Sequence, residues 1–171
     1  MHKIKPIIRL LKAEDIPQIV EAFQQLGWNK PASQYDRYLI EQAEEIRNVY
    51  IAFVQGEFAG YLTICWKSTY EPFREKNIPE IVDFNVLPKF RRQGIGTQLM
   101  DKAESEIGKV SSSAGIGVGM DSDYGAAQRL YVLRSYVPDG SGLYYRGHHV
   151  KHGEKITVDD SLALYLTKKL K

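Results

Sequence analysis

Cysteine is almost absent from this chain, because Cys65 is the only one among 171 residues. A single thiol excludes an intramolecular disulfide, and this is compatible with a reducing compartment. Long apolar runs are also missing, since no stretch approaches the ~20 residues that a membrane helix needs. The segment Met1–Leu11 is too short and too charged to be a signal peptide. We therefore predict a cytoplasmic protein with no membrane partner.

The chain also lacks an excess of one charge sign. It carries 23 Lys and Arg against 21 Asp and Glu, which gives a formal net charge of +2. So small an excess gives no reason to expect nucleic acid or a membrane surface as a partner. Apolar residues make up 43% of the chain, enough to build a globular core. At this length we predict one domain spanning residues 1–171.

Hydrophobic periodicity and turn residues divide the chain into alternating strands and helices. The first helix is predicted to start at Asp15, with Gln18 three residues on in a capping-box pattern. The other predicted elements are the strands Ile7–Leu11, Val49–Val54, Phe58–Trp66, Glu80–Val86, Ala114–Met120, Leu143–Arg146 and Ser161–Thr167, the helices Ser33–Glu45, Gly94–Gly108 and Gly125–Ser135, and the loop Lys67–Pro79.

This order of elements predicts a mixed α/β fold around a single sheet. The two runs around Gly56 form an antiparallel hairpin. The strand–helix–strand unit that starts at Glu80 predicts a parallel pair of strands with a right-handed crossover.

The segment Val86–Thr97 carries the clearest chemical signal. It joins a predicted strand to a predicted helix and contains Arg91-x-x-Gly94-x-Gly96. Backbone N–H groups at a helix start have no partner within the helix, and the helix dipole adds partial positive charge. Gly94 and Gly96 remove side chains where a phosphate must come close, and Arg91 and Arg92 can pair with it. The segment therefore predicts a cradle for a pyrophosphate.

Two other phosphate-binding loops are excluded by the sequence. A Walker loop requires Gly-Lys-Ser/Thr, which does not occur in the chain. A dinucleotide fingerprint requires Gly or Ala three residues after Gly96, where Leu99 stands. The glycines of Gly115-Ile116-Gly117-Val118-Gly119 lie inside a predicted strand, so we interpret them as sites of close packing.

Two motifs together resemble the GNAT superfamily of N-acetyltransferases. Arg91-x-x-Gly94-x-Gly96, before an amphipathic helix, is similar to the coenzyme A motif of that family. The run Ala127-Gln128-Arg129-Leu130-Tyr131, followed by Ser135-Tyr136, resembles its Ala-x-x-Leu-Tyr segment and Gly-Phe/Tyr ending. The order and spacing of the motifs make the resemblance specific, and with the early hairpin it covers nearly the whole chain.

The resemblance implies a fold and a reaction. The fold would be the acyl-CoA N-acyltransferase fold, a single mixed, mostly antiparallel sheet with a parallel splayed pair, flanked by helices. The reaction would move an acetyl group from acetyl-coenzyme A, the co-substrate, to a primary amine by direct attack in a ternary complex. No metal is implied.

The resemblance also implies roles for individual residues. Pantetheine would lie where the strand ending in Val86 splays away from its parallel neighbour, and Tyr131 would protonate the departing thiolate, although it is also a candidate for core filling. Ser135 stands where the family usually has Gly, which predicts a different helix end, and Tyr124 stands where Asn is frequent. The implied coenzyme-binding residues are Phe84, Asn85, Val86, Arg91, Arg92, Gln93, Gly94, Ile95, Gly96, Thr97, Tyr124 and Ala127.

An ammonium must lose a proton before it can attack, so a base is needed. The family often uses a carboxylate on the strand leading to the coenzyme motif, where Glu80 and Asp83 stand. In a regular strand these two residues face opposite ways, unless a bulge intervenes. We favour Glu80, near the strand's start and so near a cleft mouth, and leave Asp83 and water as alternatives.

The sequence leaves the acceptor unidentified, as a small-molecule amine or a peptide amine. It also leaves a homodimer open. Two further functions stay open on the same fold: a non-catalytic acyl-coenzyme A sensor and an O-acetyltransferase. His148, His149 and His152 match no known metal-site spacing, and we interpret them as part of a solvated turn.

Overall fold

The computed structural model describes residues 5–171, in which eight strands form one sheet in the order β1-β2-β3-β4-β5-β8-β6-β7. The strands are β1 Ile7–Leu10, β2 Arg47–Val54, β3 Glu57–Cys65, β4 Glu80–Val86, β5 Ser113–Gly119, β6 Val137–Tyr145, β7 His148–His149 and β8 Leu162–Lys169. The α-helices are α1 Ile16–Gln25, α2 Ala32–Ala43, α3 Glu71–Glu75, α4 Ile95–Gly108 and α5 Gly125–Leu133.

The strand directions confirm the predicted fold class. Neighbouring strands are antiparallel except for β4 and β5, which are parallel. The β4–α4–β5 unit is the predicted strand–helix–strand crossover. β2 and β3 form the predicted hairpin, with positive φ at both Gln55 and Gly56 in its turn.

The core lies between the sheet and the helices. α4 packs on β2, β3 and β5 with the apolar face that its sequence predicts: Ile95, Leu99, Met100, Ala103 and Ile107 are all buried. α2 packs on β2, and α1 packs on α2 and β3. None of the helices in residues 5–171 is long and apolar enough to cross a membrane.

Asp15 is the N-cap residue of α1, as the sequence predicts, but the predicted capping box is wrong. The Asp15 carboxylate makes no cap hydrogen bond to α1. It accepts two hydrogen bonds from the Arg9 guanidinium, at 2.8 and 2.7 Å, and one from the Lys12 backbone N–H at 2.8 Å. Gln18 instead reaches the Gly56 carbonyl in the β2–β3 turn. An ion pair to β1 therefore replaces the local cap, which periodicity alone does not reveal.

Two further expectations are corrected by the structure. The loop predicted for Lys67–Pro79 contains α3, whose Phe73 is buried. The different helix end predicted at Ser135 does not occur, because Ser135 itself adopts a left-handed φ of 70° after α5 ends at Leu133. The Tyr136 N–H then donates to the Tyr131 carbonyl at 3.0 Å. Serine thus adopts the left-handed conformation at the helix end, which glycine adopts at a lower cost in conformational energy.

Candidate active site

The two parallel strands separate soon after they meet. β4 and β5 pair only at Glu80 with Gly115 and at Ile81 with Ile116, so within the described chain no later residue of β4 has a β5 partner. A cavity of about 640 Å³ opens there, bounded by both strands, β8, α5 and the segment after α1. The splay leaves polar groups along one edge of β4 available to a ligand.

The predicted pyrophosphate cradle lies at the start of α4, beside this cavity. Gly94 is the N-cap residue and has a φ of 81°, in the left-handed region that favours glycine. A Cβ on Gly96 would come within 3.1 Å of the Phe84 ring, so the helix start presses against β4. Arg91 and Arg92 are exposed at this end, and Arg91 also donates to the Val86 carbonyl at 3.0 Å. The arrangement fits the anion site expected from sequence.

The structure brings the predicted coenzyme-binding residues into two adjacent groups. The cradle group runs from Arg91 to Thr97, at the start of α4. The second group lines the cavity or continues its β4 wall and consists of Phe84, Asn85, Val86, Tyr124 and Ala127. Contact of Gly96 with Phe84 and Val86 connects the two groups.

The glycines of β5 make room for aromatic rings, as their interpretation as packing sites predicts. A Cβ on Gly115 would lie 2.3 Å from the Phe73 ring, and one on Gly119 would lie 2.3 Å from the Tyr124 ring. A Cβ on Gly117 would likewise lie 3.0 Å from the Tyr165 ring. Burial, together with a hydrogen bond to Asp160, raises the pKa of Tyr124 to about 12. The Tyr124 hydroxyl therefore keeps its proton and donates a hydrogen bond to Asp160, and it does not supply the amide that Asn would.

Asp83 sits at a β-bulge. The register between β3 and β4 shifts, because Tyr61 pairs with Asn85 while Thr63 pairs with Val82. Asp83 has a φ of 54°, a left-handed conformation that Asp and Asn tolerate better than most residues. The bulge changes the side-chain alternation along β4. Glu80 and Asp83 both line the cavity, as do the β4 residues between them.

The Asp83 carboxylate is surrounded by hydrogen-bond donors. They are Lys30 Nζ at 2.6 Å, Gln34 Nε2 at 2.9 Å, Tyr38 OH at 2.9 Å, Asn85 Nδ2 at 2.8 Å and Tyr61 OH. Burial alone would raise the pKa of Asp83, but the Lys30 charge and these hydrogen bonds outweigh it, so the pKa is lowered. Five donors occupy the lone pairs of a carboxylate, which is held ionised and has little capacity to take up a proton.

Glu80 is in the opposite situation. Its side chain is buried, with 7% of the residue exposed, so it does not lie at a cleft mouth as its place near the strand's start suggests. It accepts a hydrogen bond from Ser68 Oγ through one oxygen, and burial raises its pKa above the ordinary value. A carboxylate with a raised pKa and a free oxygen facing a cavity accepts a proton more readily than an ordinary carboxylate.

Tyr131 lies on α5 and reaches the same cavity, with 5% of the residue exposed. Its ring packs near Tyr136, at a centroid distance of 6.1 Å, so it does fill core space. Its hydroxyl has no hydrogen-bond partner within residues 5–171 and is not sealed off from solvent. Burial raises the pKa of Tyr131. The residue thus combines packing with a free hydroxyl at the cavity.

Several cavity residues were missed from sequence. Trp28, Asn29 and Lys30 line the cavity from the segment between α1 and α2, and Tyr165 lines it from β8. In the sequence, the first three lie in an ordinary turn and Tyr165 lies in a strand where leucines alternate with other residues. The pairing of Lys30 with Asp83 spans 53 residues, so no local pattern signals it.

Two of the three histidines near the carboxyl end, His148 and His149, have protein partners. His148 Nε2 lies 2.6 Å from Glu154 Oε1, and His149 Nε2 lies 3.0 Å from the Tyr70 hydroxyl. Across residues 5–171 the structure shows no group of three or more His, Cys, Asp or Glu that could hold a metal ion.

Comparison with known proteins adds an independent line of evidence. Residues 13–136 match the model of the Acetyltransferase (GNAT) family. An uncharacterized N-acetyltransferase of Archaeoglobus fulgidus is 32% identical over 117 residues, which cover 66% of this chain and 76% of the relative.

Solved structures share the fold over almost the whole chain. An N-acetyltransferase from Staphylococcus aureus Mu50 superposes with a TM-score of 0.70 at 17% identity, covering 98% of this chain and 99% of that one. The yncA protein of Salmonella typhimurium, solved with its cofactor acetyl-CoA, gives a TM-score of 0.68 at 16% identity and covers 98% and 95%. The chain belongs to the GNAT family of acetyltransferases.

Proposed function

We propose that this protein transfers an acetyl group from acetyl-coenzyme A to a primary amine, by direct attack while both substrates are bound. The observation that carries the proposal is the wedge between β4 and β5, which joins the Gly94 cradle at one end to Glu80 inside the cavity. The relative from Salmonella typhimurium that was solved with acetyl-CoA supports this choice of donor.

The chain's own groups divide the work of binding the coenzyme. Backbone N–H groups from Arg91 to Thr97, with the side chains of Arg91 and Arg92, would hold the pyrophosphate. The unpaired edge of β4 at Phe84–Val86 would hold the pantetheine, and an N–H near Val86 would polarise the thioester carbonyl. Glycine at position 96 lets the start of α4 pack closely on β4, because a Cβ there would lie 3.1 Å from the Phe84 ring.

Glu80 is proposed as the base. The acceptor's ammonium gives one proton to the Glu80 carboxylate, and the amine nitrogen bonds to the acetyl carbon. The carbon–sulfur bond then breaks with its electron pair leaving on sulfur, and the second N–H proton, lost as the amide forms, replaces the proton that Tyr131 gives to the thiolate. Asp83 is a poor alternative because its lowered pKa and five donors oppose protonation. We assign Asp83 a structural role instead: it stabilises the bulge and, through its ion pair with Lys30, fixes the segment Trp28–Lys30 that lines the cavity.

Tyr131 is proposed as the group that protonates the departing thiolate. A Cys-like thiol has a pKa of about 8.5, whereas burial raises the pKa of the Tyr131 phenol above its ordinary value of about 10. Proton transfer to sulfur is therefore uphill, and we expect a modest contribution to the rate.

The charges of the cavity favour particular acceptors. Lys30 is paired with Asp83, and neither Glu80 nor Asp160 forms an ion pair with another described residue. An acceptor with a carboxylate near its amine would face the negative charge of these two carboxylates, which costs on the order of 1–2 kcal/mol. Neutral and cationic amines, including peptide amines, should be preferred over amino acids.

The test is release of free thiol from acetyl-coenzyme A in the presence of a panel of amines and alcohols. We expect turnover with amines, with n-butylamine about tenfold better in kcat/KM than γ-aminobutyrate. Turnover with alcohols alone would favour the O-acetyltransferase. Coenzyme binding without turnover on any acceptor would favour the acyl-coenzyme A sensor. We propose a cytoplasmic location, and size-exclusion chromatography with light scattering would decide between monomer and homodimer.

A further inference from the structure

One carboxylate oxygen of Glu80, Oε2, accepts a hydrogen bond from the buried side chain of Ser68. Ser68 and Glu80 are 1% and 7% exposed, and the Ser68 hydroxyl donates to Glu80 Oε2. Ser68 Oγ in turn accepts the Tyr70 backbone N–H at 3.0 Å. Because one lone pair of Ser68 is occupied by that N–H, the single hydroxyl proton is available for the carboxylate.

Tyr70 is itself fixed by contacts that do not involve Glu80. Its ring stacks on Tyr165 at a centroid distance of 3.6 Å and an interplanar angle of 3°. Its hydroxyl donates to Asp139 Oδ2 at 2.7 Å and lies 3.0 Å from His149 Nε2. The backbone N–H that orients Ser68 is therefore positioned by packing against β6, β7 and β8.

The other groups around Glu80 leave its second oxygen free. Arg47 and Cys65 belong to the same cross-strand row as Glu80, on β2 and β3, and Tyr165 faces it from β8. None of them donates a hydrogen bond to Glu80, whose Oε1 has no partner within residues 5–171 and is not sealed from the cavity.

We propose that Ser68 is a positioning residue, which holds Oε2 of Glu80 and leaves Oε1 to receive the proton of the acceptor amine. This inference rests on the proposed role of Glu80 as base. During the reaction the amine N–H bond breaks and an O–H bond forms on Oε1, while the Ser68 hydroxyl keeps its own proton. The buried Ser68 donor thereby also stabilises the ionised carboxylate.

The inference predicts a shift in pH dependence with a definite sign. Burial raises the pKa of Glu80, and the hydrogen bond from Ser68 acts against that rise, as does the Arg47 charge. Removing the hydroxyl raises the pKa further, so Glu80 becomes ionised only at higher pH. The acidic limb of kcat/KM should then move upward by about one pH unit, the scale of one hydrogen bond to a charged group.

The experiment measures kcat/KM against pH for Ser68→Ala. We expect the upward shift, which amounts to a roughly tenfold loss of kcat/KM at a pH on the acidic limb. In a Glu80→Gln background the same change should have little further effect, because Ser68 acts through Glu80. Ser68→Cys keeps nearly the same volume and provides a folded variant if alanine destabilises the chain.

Ser111→Ala is the matched control. Ser111 Oγ also accepts an N–H two residues on, from Ser113, but its hydroxyl donates to the Ser113 backbone carbonyl and not to Glu80. Its pH profile should match the wild type. An unshifted limb in both Ser68 variants, with Glu80→Gln impaired, would overturn the role of Ser68 alone. Unimpaired Glu80→Gln would overturn the base assignment, and with it the inference.

Discussion

The substitution Asp83→Asn separates positioning from proton transfer at the bulge. Asparagine has nearly the same shape and also tolerates the φ of 54°, so the backbone should keep its course. The charge that pairs with Lys30 at 2.6 Å is lost, however, and an amide nitrogen faces donors that need an acceptor. The change therefore tests the ion pair and its hydrogen bonds with little disturbance of packing.

The expected loss follows from the burial of the pair. Breaking a fully buried ion pair costs about 3–5 kcal/mol. The Lys30 and Asp83 side chains retain 20% and 13% exposure, so solvent screens part of this and we expect a loss of about 2–3 kcal/mol. At this chain length each kcal/mol corresponds to about 2–4 °C. The melting temperature should fall by several degrees at neutral pH.

The same loss should depend on pH. The folded-state pKa of Asp83 is lowered, so its contribution is present above the unfolded pKa of about 3.9 and disappears as the pH falls through the folded-state pKa. Thermal unfolding of wild type and Asp83→Asn should accordingly differ at pH 7 and converge in acid below about pH 4. Asp36→Asn, an exposed change on α2, should show neither effect.

Kinetics of the same variant complete the test. We expect Asp83→Asn to weaken acceptor binding while the acidic limb of kcat/KM stays in place, since Glu80 still takes the proton. A fully stable Asp83→Asn protein with a turnover loss of about 100-fold or more and no acidic limb would refute this reasoning and make Asp83 the base.

Three further predictions concern the coenzyme site and α5. Coenzyme A at ~100 times its Kd should stabilise the wild type by about 2.7 kcal/mol. Gly94→Val should abolish this stabilisation, whereas the control Gly27→Val, at another glycine with a left-handed φ, should preserve it. Tyr131→Phe should lower turnover about tenfold at unchanged coenzyme affinity, whereas full activity would leave Tyr131 a packing residue. Ser135→Gly should raise the melting temperature by about 2–4 °C, equivalent to about 1 kcal/mol, whereas Ser105→Gly inside α4 should lower it.

The cradle could be predicted from sequence because its signals are local. Gly94 and Gly96 act through backbone geometry within one helix turn, and the apolar face of α4 follows directly from residue spacing. The parallel direction of β4 and β5 follows from the helix that connects them. These features depend on residues that are close together in sequence, and hydrophobic periodicity and motif spacing therefore predict them.

The surroundings of the carboxylates could not be predicted, because they depend on residues far apart in sequence. The bulge that turns Asp83 into the cavity is held by Lys30 and Tyr61, and the free oxygen of Glu80 depends on Ser68. The three-residue spacing of Glu80 and Asp83 places their side chains on opposite faces of a regular strand. The register shift between β3 and β4 interrupts that alternation, and both carboxylates line one cavity.

The central claim is that Glu80 accepts the proton of an amine acetylated by acetyl-coenzyme A. The most direct measurement is thiol release at saturating acetyl-coenzyme A, followed from acid to alkaline pH for wild type and Glu80→Gln. We predict a loss of about 100-fold or more at neutral pH that shrinks at high pH, where free amine is abundant. An unchanged rate and pH profile in Glu80→Gln would contradict the account and return the proton to water or to Asp83.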